Sequence, residues 1–356
     1  MSEAAEGNTG TTAVRAGYEL NRDALEQWLR THVEGFAGPL EVAQFKGGQS
    51  NPTYRLTTPT RSYVLRRKPP GEILKGAHAV EREAQVMAAL GETGFPVPKI
   101  HGLCEDESVL GTPFFVMEMV EGRIFWDTTF PDVARDARPD YFAAMNRVLA
   151  QLHGIDPEAI GLGDYGRSGN YFARQIGRWS KQYLADEEAG RNVDMDALVE
   201  WLPENIPPGE ENAIVHGDLR CDNMIFVPDE PRVLAVLDWE LSTLGHPLAD
   251  FAYNAMMYRM PPDIVAGLEG VDLAALNIPS EAEYVAAYCA RTGRKSIPNW
   301  DFYIAFNFFR LAAIFHGIKG RVIRGNAASA QAAERATKFP VLARLAREAM
   351  QACTRE

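Results

Sequence analysis

Cysteine is scarce in this chain: four in 356 residues, at positions 104, 221, 289 and 353, with none in a CxxC pair. Such spacing argues against a disulfide framework and fits a reducing cytoplasm. The seven histidines form no HxxxH or HExxH cluster, so the usual sequence signs of a zinc site are missing. Nor is there a GxxxxGK[ST] segment, which excludes a P-loop enzyme. Basic residues are outnumbered, 36 Lys and Arg against 48 Asp and Glu, for a net charge of −12. A broadly acidic surface is a poor nucleic-acid binder, because phosphate contacts need clustered cations. Residues 1–16 are rich in Gly, Thr, Ala and Glu and lack the apolar core of a signal peptide; they read as a disordered lead-in. One long apolar stretch, 302–318, contains Asn307, Arg310 and His316. Charges are expensive within a membrane, so a buried helix is expected there and no membrane partner. No internal repeat is visible.

What is present is enough apolar material, 46% of residues, for a large core, and a length that suggests two lobes. The pattern predicts a helix over 21–33, with Leu25, Trp28, Leu29 and His32 on one face. Short strands around 44, 54–56 and 63–66, joined by tight polar turns, come next. A helix over 79–90 puts Val80, Ala84, Met87 and Ala88 on one face. A strand over 114–117 follows. Beyond it the pattern is mostly helical: 141–153, 171–183 and 300–318. Two short strands, 224–227 and 233–237, flank the turn Pro228-Asp229-Glu230-Pro231-Arg232. A small sheet-rich lobe followed by a larger helical one accounts for this order.

The densest chemistry lies in Ile214-Val215-His216-Gly217-Asp218-Leu219-Arg220-Cys221-Asp222-Asn223, followed after the hairpin by Leu237-Asp238-Trp239-Glu240. Phosphoryl transfer needs a positioned nucleophile and compensation of phosphate charge. Asp218 is placed to accept a hydroxyl proton and aim its oxygen. Asn223 offers a neutral oxygen ligand and Asp238 an anionic one, both hard donors of the kind magnesium prefers. The hairpin is expected to return Asp238 beside Asn223. Glu240 supports the metal through water or caps the turn. His216 is read as holding the loop and Asp250 as bracing it.

These residues resemble the aminoglycoside-phosphotransferase and choline-kinase-like superfamily, whose pattern is HGDxxxxN followed by Asp-x-Asp/Glu. Protein kinases carry HRD and DFG instead, and no APE segment follows here. The resemblance runs over about residues 40–330. It implies a two-lobed, protein-kinase-like α+β fold: a small antiparallel-sheet N-lobe over 17–118, a hinge at 119–122 and a larger, mostly helical C-lobe over 123–356. It further implies ATP and Mg2+ as cofactors, with Gly47, Gly48, Gln49, Ser50 and Asn51 covering the phosphates. Arg66 stands where the family usually has a phosphate-contacting Lys, with Lys68 as the alternative. Glu83 is its expected partner, with Glu81 competing. Met117, Glu118 and Met119 resemble the adenine-binding hinge.

Three stretches are similar to the branch associated with acyl-CoA dehydrogenases: 63–71, Leu152-His153-Gly154-Ile155-Asp156-Pro157 and 171–179. That branch implies a hydroxyacyl-CoA as the small-molecule hydroxyl substrate. Arg174, Arg178 and Lys181 form a basic stripe that either faces such an anion or is a solvated helix face. Arg310, on an apolar helix, needs a partner: a structural carboxylate or a substrate anion. The rival readings are an aminoglycoside or macrolide kinase and a nucleotide-binding pseudokinase. Nothing in the sequence specifies an oligomeric state.

Overall fold

The structure is a computed structural model that describes residues 10–46, 51–70, 78–326 and 331–353. Its strands are β1 Thr11–Thr12, β2 Glu41–Phe45, β3 Thr53–Thr57, β4 Ser62–Arg67, β5 Ile100–Cys104, β6 Phe114–Glu118, β7 Ala213–Val215, β8 Met224–Phe226, β9 Val233–Val236 and β10 Thr243–Gly245. The longer helices are α1 Arg22–His32, α2 Val80–Gly91, α3 Arg138–His153, α4 Tyr171–Ala185, α5 Val193–Glu204, α6 Pro247–Ala255, α7 Glu281–Thr292, α8 Trp300–Ile323 and α9 Gln331–Cys353. Two compact units divide them. The first is Met1–Trp126 with Glu158–Leu162 and Cys221–Ser242; the second is Asp127–Pro157, Gly163–Arg220 and Thr243–Glu356.

The first unit is built on an antiparallel sheet of order β1-β2-β3-β4-β6-β5. Strand alternation sends Tyr54, Leu56, Tyr63, Leu65, Phe114 and Val116 to one face, where α1 covers them with Leu25, Trp28 and Leu29. The i, i+3, i+4 spacing of those three residues is the apolar stripe of a helix capped by Asn21, whose side chain accepts the Ala24 N–H. Each such buried side chain contributes about 1.5–3 kcal/mol. His32 was expected on that face but is exposed, its ring stacked on Trp28 at 4.6 Å. In α2 the buried residues are Val80, Glu83, Ala84, Val86, Met87 and Leu90, whereas Ala88 is exposed. The β8–β9 pair belongs to this unit. Arg123 exchanges both backbone hydrogen bonds with Phe226, 2.8 Å each way. Gly122 permits that approach, since a Cβ there would meet the Phe226 carbonyl at 2.5 Å.

The second unit packs helices around α8, whose residues from Phe302 to Ala313 are buried. Helices α4, α6 and α9 lie against it, and α3 lies against α7. The short β7 pairs antiparallel with β10, Val215 opposite Thr243 and Ala213 opposite Gly245. Among the described residues no helix is long and apolar enough to cross a membrane.

Candidate active site

In the second unit the end of β7 delivers the His216-Gly217-Asp218 turn. Gly217 sits at φ 85°, a left-handed conformation that favours glycine. The turn's backbone is held from α6. Buried Asp250 accepts the His216 N–H at 2.8 Å and the Gly217 N–H at 2.7 Å, with His153 Nε2 3.3 Å from the same carboxylate. Burial pushes the Asp250 pKa up, but the hydrogen bond and charge of His153, with those of His216, bring it below the ordinary value. Asp250 is therefore the expected brace. His216 Nδ1 accepts the Asp218 N–H at 3.2 Å, a loop-holding role.

Asp218 itself is gripped by residues the sequence did not single out. Tyr253, one turn after Asp250 on α6, donates its hydroxyl to Asp218 Oδ1 at 2.5 Å. Burial, then the Asp218 carboxylate, pushes the Tyr253 pKa upward, so the phenol remains a donor. Asn254 donates to the Leu219 carbonyl at 2.9 Å. The i, i+3, i+4 spacing of Asp250, Tyr253 and Asn254 is the signal that places all three on one helical face. Arg310 meets a backbone group: Nη2 donates to the Gly217 carbonyl at 2.9 Å and the guanidinium lies 5.3 Å from the Tyr253 ring centroid. It supports the turn from α8.

In the first unit the β8–β9 register, Met224 opposite Val236, sets Asn223 and Leu237 across from each other. The Leu237 N–H donates to the Asn223 carbonyl at 2.9 Å. Asp238 follows at φ 66°, and Trp239 anchors the turn, buried, with Nε1 donating to Val236. From β4, Arg66 reaches Asp238 Oδ1 at 2.7 Å, Glu83 Oε2 at 3.1 Å and Glu240 at 3.6 Å. Lys68 instead pairs with Glu81 at 2.7 Å. Burial pushes Glu83 up to about 7 against the pull of Arg66, with Asp238 and Glu240 adding to the rise. Three carboxylates around one guanidinium leave an excess of negative charge. Asn223 and Asp238 are hard oxygen donors at neighbouring strand ends, of the kind that would suit a magnesium ion.

Asn51, expected over the phosphates, turns its side chain inward. It is fully buried, its amide donating to Glu83 Oε1 at 2.9 Å and its carbonyl 3.1 Å from His78 Nδ1, so it braces the Arg66 partner. Gly47, Gly48, Gln49 and Ser50 lie outside the described residues, as does most of the lead-in. Met117, opposite Val64, shares a sheet face with Arg66, opposite Phe115; Glu118, opposite Tyr63, points its side chain to the α1 face. There Glu118 and Met119 line a cavity of about 530 Å³ with Lys99 and His101. On α4, Arg174 donates to the Arg167 carbonyl at 2.6 Å, while Arg178 is exposed over the Trp179 ring.

Comparison with known proteins matches residues 41–306 to the model of the phosphotransferase enzyme family, APH. Acyl-CoA dehydrogenase family member 10 of Mus musculus is 43% identical over 346 residues, 96% of this chain but 32% of that protein. The chain spans less than half the length of the curated relatives it matches. A crystal structure from Ralstonia eutropha, provisionally named an aminoglycoside phosphotransferase, is 50% identical, covers 94% of this chain and 99% of its own, and has a TM-score of 0.87. Aminoglycoside phosphotransferase APH(4)-Ia, solved with AMP-PNP and hygromycin B, shares the fold at 14% identity, TM-score 0.60, covering 92% of this chain and 98% of its own.

Proposed function

The chain belongs to the phosphotransferase enzyme family, and on that premise we propose that it transfers the γ-phosphate of ATP to a hydroxyl of a small molecule, a hydroxyacyl-CoA. The observation that carries this reading is the Arg66 fork between Glu83 and Asp238. It pairs a strand cation with a buried helix glutamate, as kinase nucleotide sites do, and sets both beside the carboxylate at the hairpin end. Asp218 accepts the substrate proton while the hydroxyl oxygen bonds to the γ-phosphorus and the bond to the β-phosphate oxygen breaks, releasing ADP; the proton then passes to solvent. Asn223 and Asp238 would hold magnesium, which when bound would supply charge compensation to the phosphates. Arg66 is the phosphate contact of the first unit, and Met117 to Met119 offer the adenine its backbone edge. Support for nucleotide use comes from the relative solved with AMP-PNP.

The acyl-CoA assignment is supported by 43% identity to a protein named for acyl-CoA dehydrogenation. A cytoplasmic setting is part of the same reading. The name of the Ralstonia relative favours a second one, aminoglycoside phosphorylation. Both are tested by magnesium-dependent ATP consumption with hydroxyacyl-CoAs, aminoglycosides, macrolides, amino alcohols and sugars, beside Asp238→Ala. Turnover of hydroxyacyl-CoA, abolished in the variant, is expected. Preference for an aminoglycoside moves the assignment to the second reading. ATP binding without turnover of any class makes the chain a nucleotide-binding pseudokinase.

A further inference from the structure

His246 caps α6 in an unusual way. Its Nδ1 accepts the Leu248 N–H at 3.2 Å, a task that Asn, Asp, Ser and Thr perform more often. A ring nitrogen that accepts carries no proton, so the neutral ring keeps its proton on Nε2. The ring is neutral at ordinary pH, because burial, partly opposed by Glu211, pulls its pKa down to about 4. It is held between Phe172, at 5.0 Å, and Tyr303, at 5.9 Å. The residue is 6% exposed, and among the described residues Nε2 has no hydrogen-bond partner. His246 lines a cavity of about 230 Å³.

That cavity lies within the second unit, at the other end of the β7–β10 pair from Asp218. Gly245, next to His246, pairs with Ala213, whereas Val215 leads into the catalytic turn. Tyr171 and Phe172 at the start of α4, with Pro207 and Pro208, give it apolar walls. Glu210 stands in the lining too, both carboxylate oxygens accepting the Asn170 N–H at 3.0 and 2.9 Å. The volume is below the ~300–1,000 Å³ of sites for drug-sized ligands, so it suits one ring and one functional group.

The donor set selects the ligand. Glu210 repels an anion, and among the described residues no cationic side chain lines the cavity to offset it. An ammonium group would oppose the His246 N–H dipole. A neutral group with an acceptor for Nε2–H and a donor for Glu210 satisfies both. We propose that this cavity binds a small neutral carboxamide, its carbonyl oxygen accepting from His246 Nε2–H, its NH2 donating to Glu210, and its ring held between the Tyr171–Phe172 and Pro207–Pro208 walls. The site is independent of the phosphotransfer chemistry.

Benzamide is the probe, titrated into the full chain with 15N-labelled histidine and followed by ring 15N shifts. The variant is His246→Asn: asparagine retains an α6 cap through its side-chain oxygen but cannot place a donor at Nε2. Its missing signals also assign the His246 resonances among the seven histidines. Expected are saturable movement of the His246 ring signals and a loss of affinity of about tenfold in the variant at unchanged melting temperature near neutral pH, the equilibrium counterpart of one hydrogen bond. Benzoate and toluene should bind more weakly than benzamide. Unmoved His246 signals, equal binding to the variant, or toluene binding as well as benzamide would each overturn the assignment and leave Nε2 to an ordered water.

Discussion

Asp218 Oδ1 takes the Tyr253 hydroxyl, and the turn beneath it is tied by Asp250, Arg310 and Asn254. On the proposed reading, Asp218 is a base that would start each turnover already aimed, which is where positioning contributes to rate. Asp218→Asn is therefore expected to lower kcat by about 10²–10⁴-fold with an unchanged melting temperature. Tyr253→Phe keeps the ring over which Arg310 lies and removes only the hydroxyl. Its kcat should fall about tenfold while the KM for ATP stays put; equal loss in both would mean that Tyr253 serves the fold rather than the base. Arg66 and Lys68 separate in the same manner. A guanidinium spans Glu83 and Asp238 with different nitrogens, which the single nitrogen of an ammonium cannot do. Arg66→Lys should raise the KM for ATP about tenfold, and Lys68→Met should leave it within about twofold, because Lys68 is engaged by Glu81. The opposite ranking would reassign the phosphate contact to Lys68.

Whole elements show where the sequence was readable. The β8–β9 hairpin was legible because a turn with two prolines and three charged residues separates two apolar runs, and its register then sets Leu237 opposite Asn223. The direction of Asn51 was not. Its position in a Gly-rich loop looks like a phosphate contact, whereas its side-chain amide donates to Glu83, 32 residues away on α2. Arg310 was visible as a charge needing a partner, but its partner, the Gly217 carbonyl, is 93 residues away and carries no side-chain signature. The two capping and bracing residues of α6, His246 and Asp250, make the element's pH behaviour predictable. The unfolded His246 ring takes a proton as pH falls below about 6.5, whereas the folded ring stays neutral to about 4. Acid therefore favours the unfolded chain, and this contribution, on the order of 2–3 kcal/mol, is present above pH 6.5 and lost across that window. The melting temperature of the native chain should drop relative to His246→Asn as pH is lowered from about 7 to about 4. Parallel curves would mean that the buried ring takes its proton without unfolding.

At the scale of the molecule, a net charge of −12 opposes any anionic substrate at long range, and a coenzyme A thioester is such a substrate. The acidic field is diffuse, however, and salt at 0.1 M screens charges beyond about 10 Å. What a thioester meets at short range is local. On α4 the exposed Arg178 and Lys181 form a cationic strip, from which Arg174 is partly withdrawn by its bond to the Arg167 carbonyl. If that strip receives the coenzyme phosphates, attraction outweighs the diffuse repulsion. Then kcat/KM for a hydroxyacyl-CoA falls with salt, about three- to tenfold between about 50 and 300 mM KCl. In the Arg178→Ala/Lys181→Ala double variant the dependence should flatten or invert, leaving the net charge exposed. A cationic aminoglycoside would also lose kcat/KM with salt, but the same double variant would then bind it better. A native kcat/KM for hydroxyacyl-CoA that rises with salt would show the whole-molecule charge winning, and would return the α4 strip to a solvated helix face.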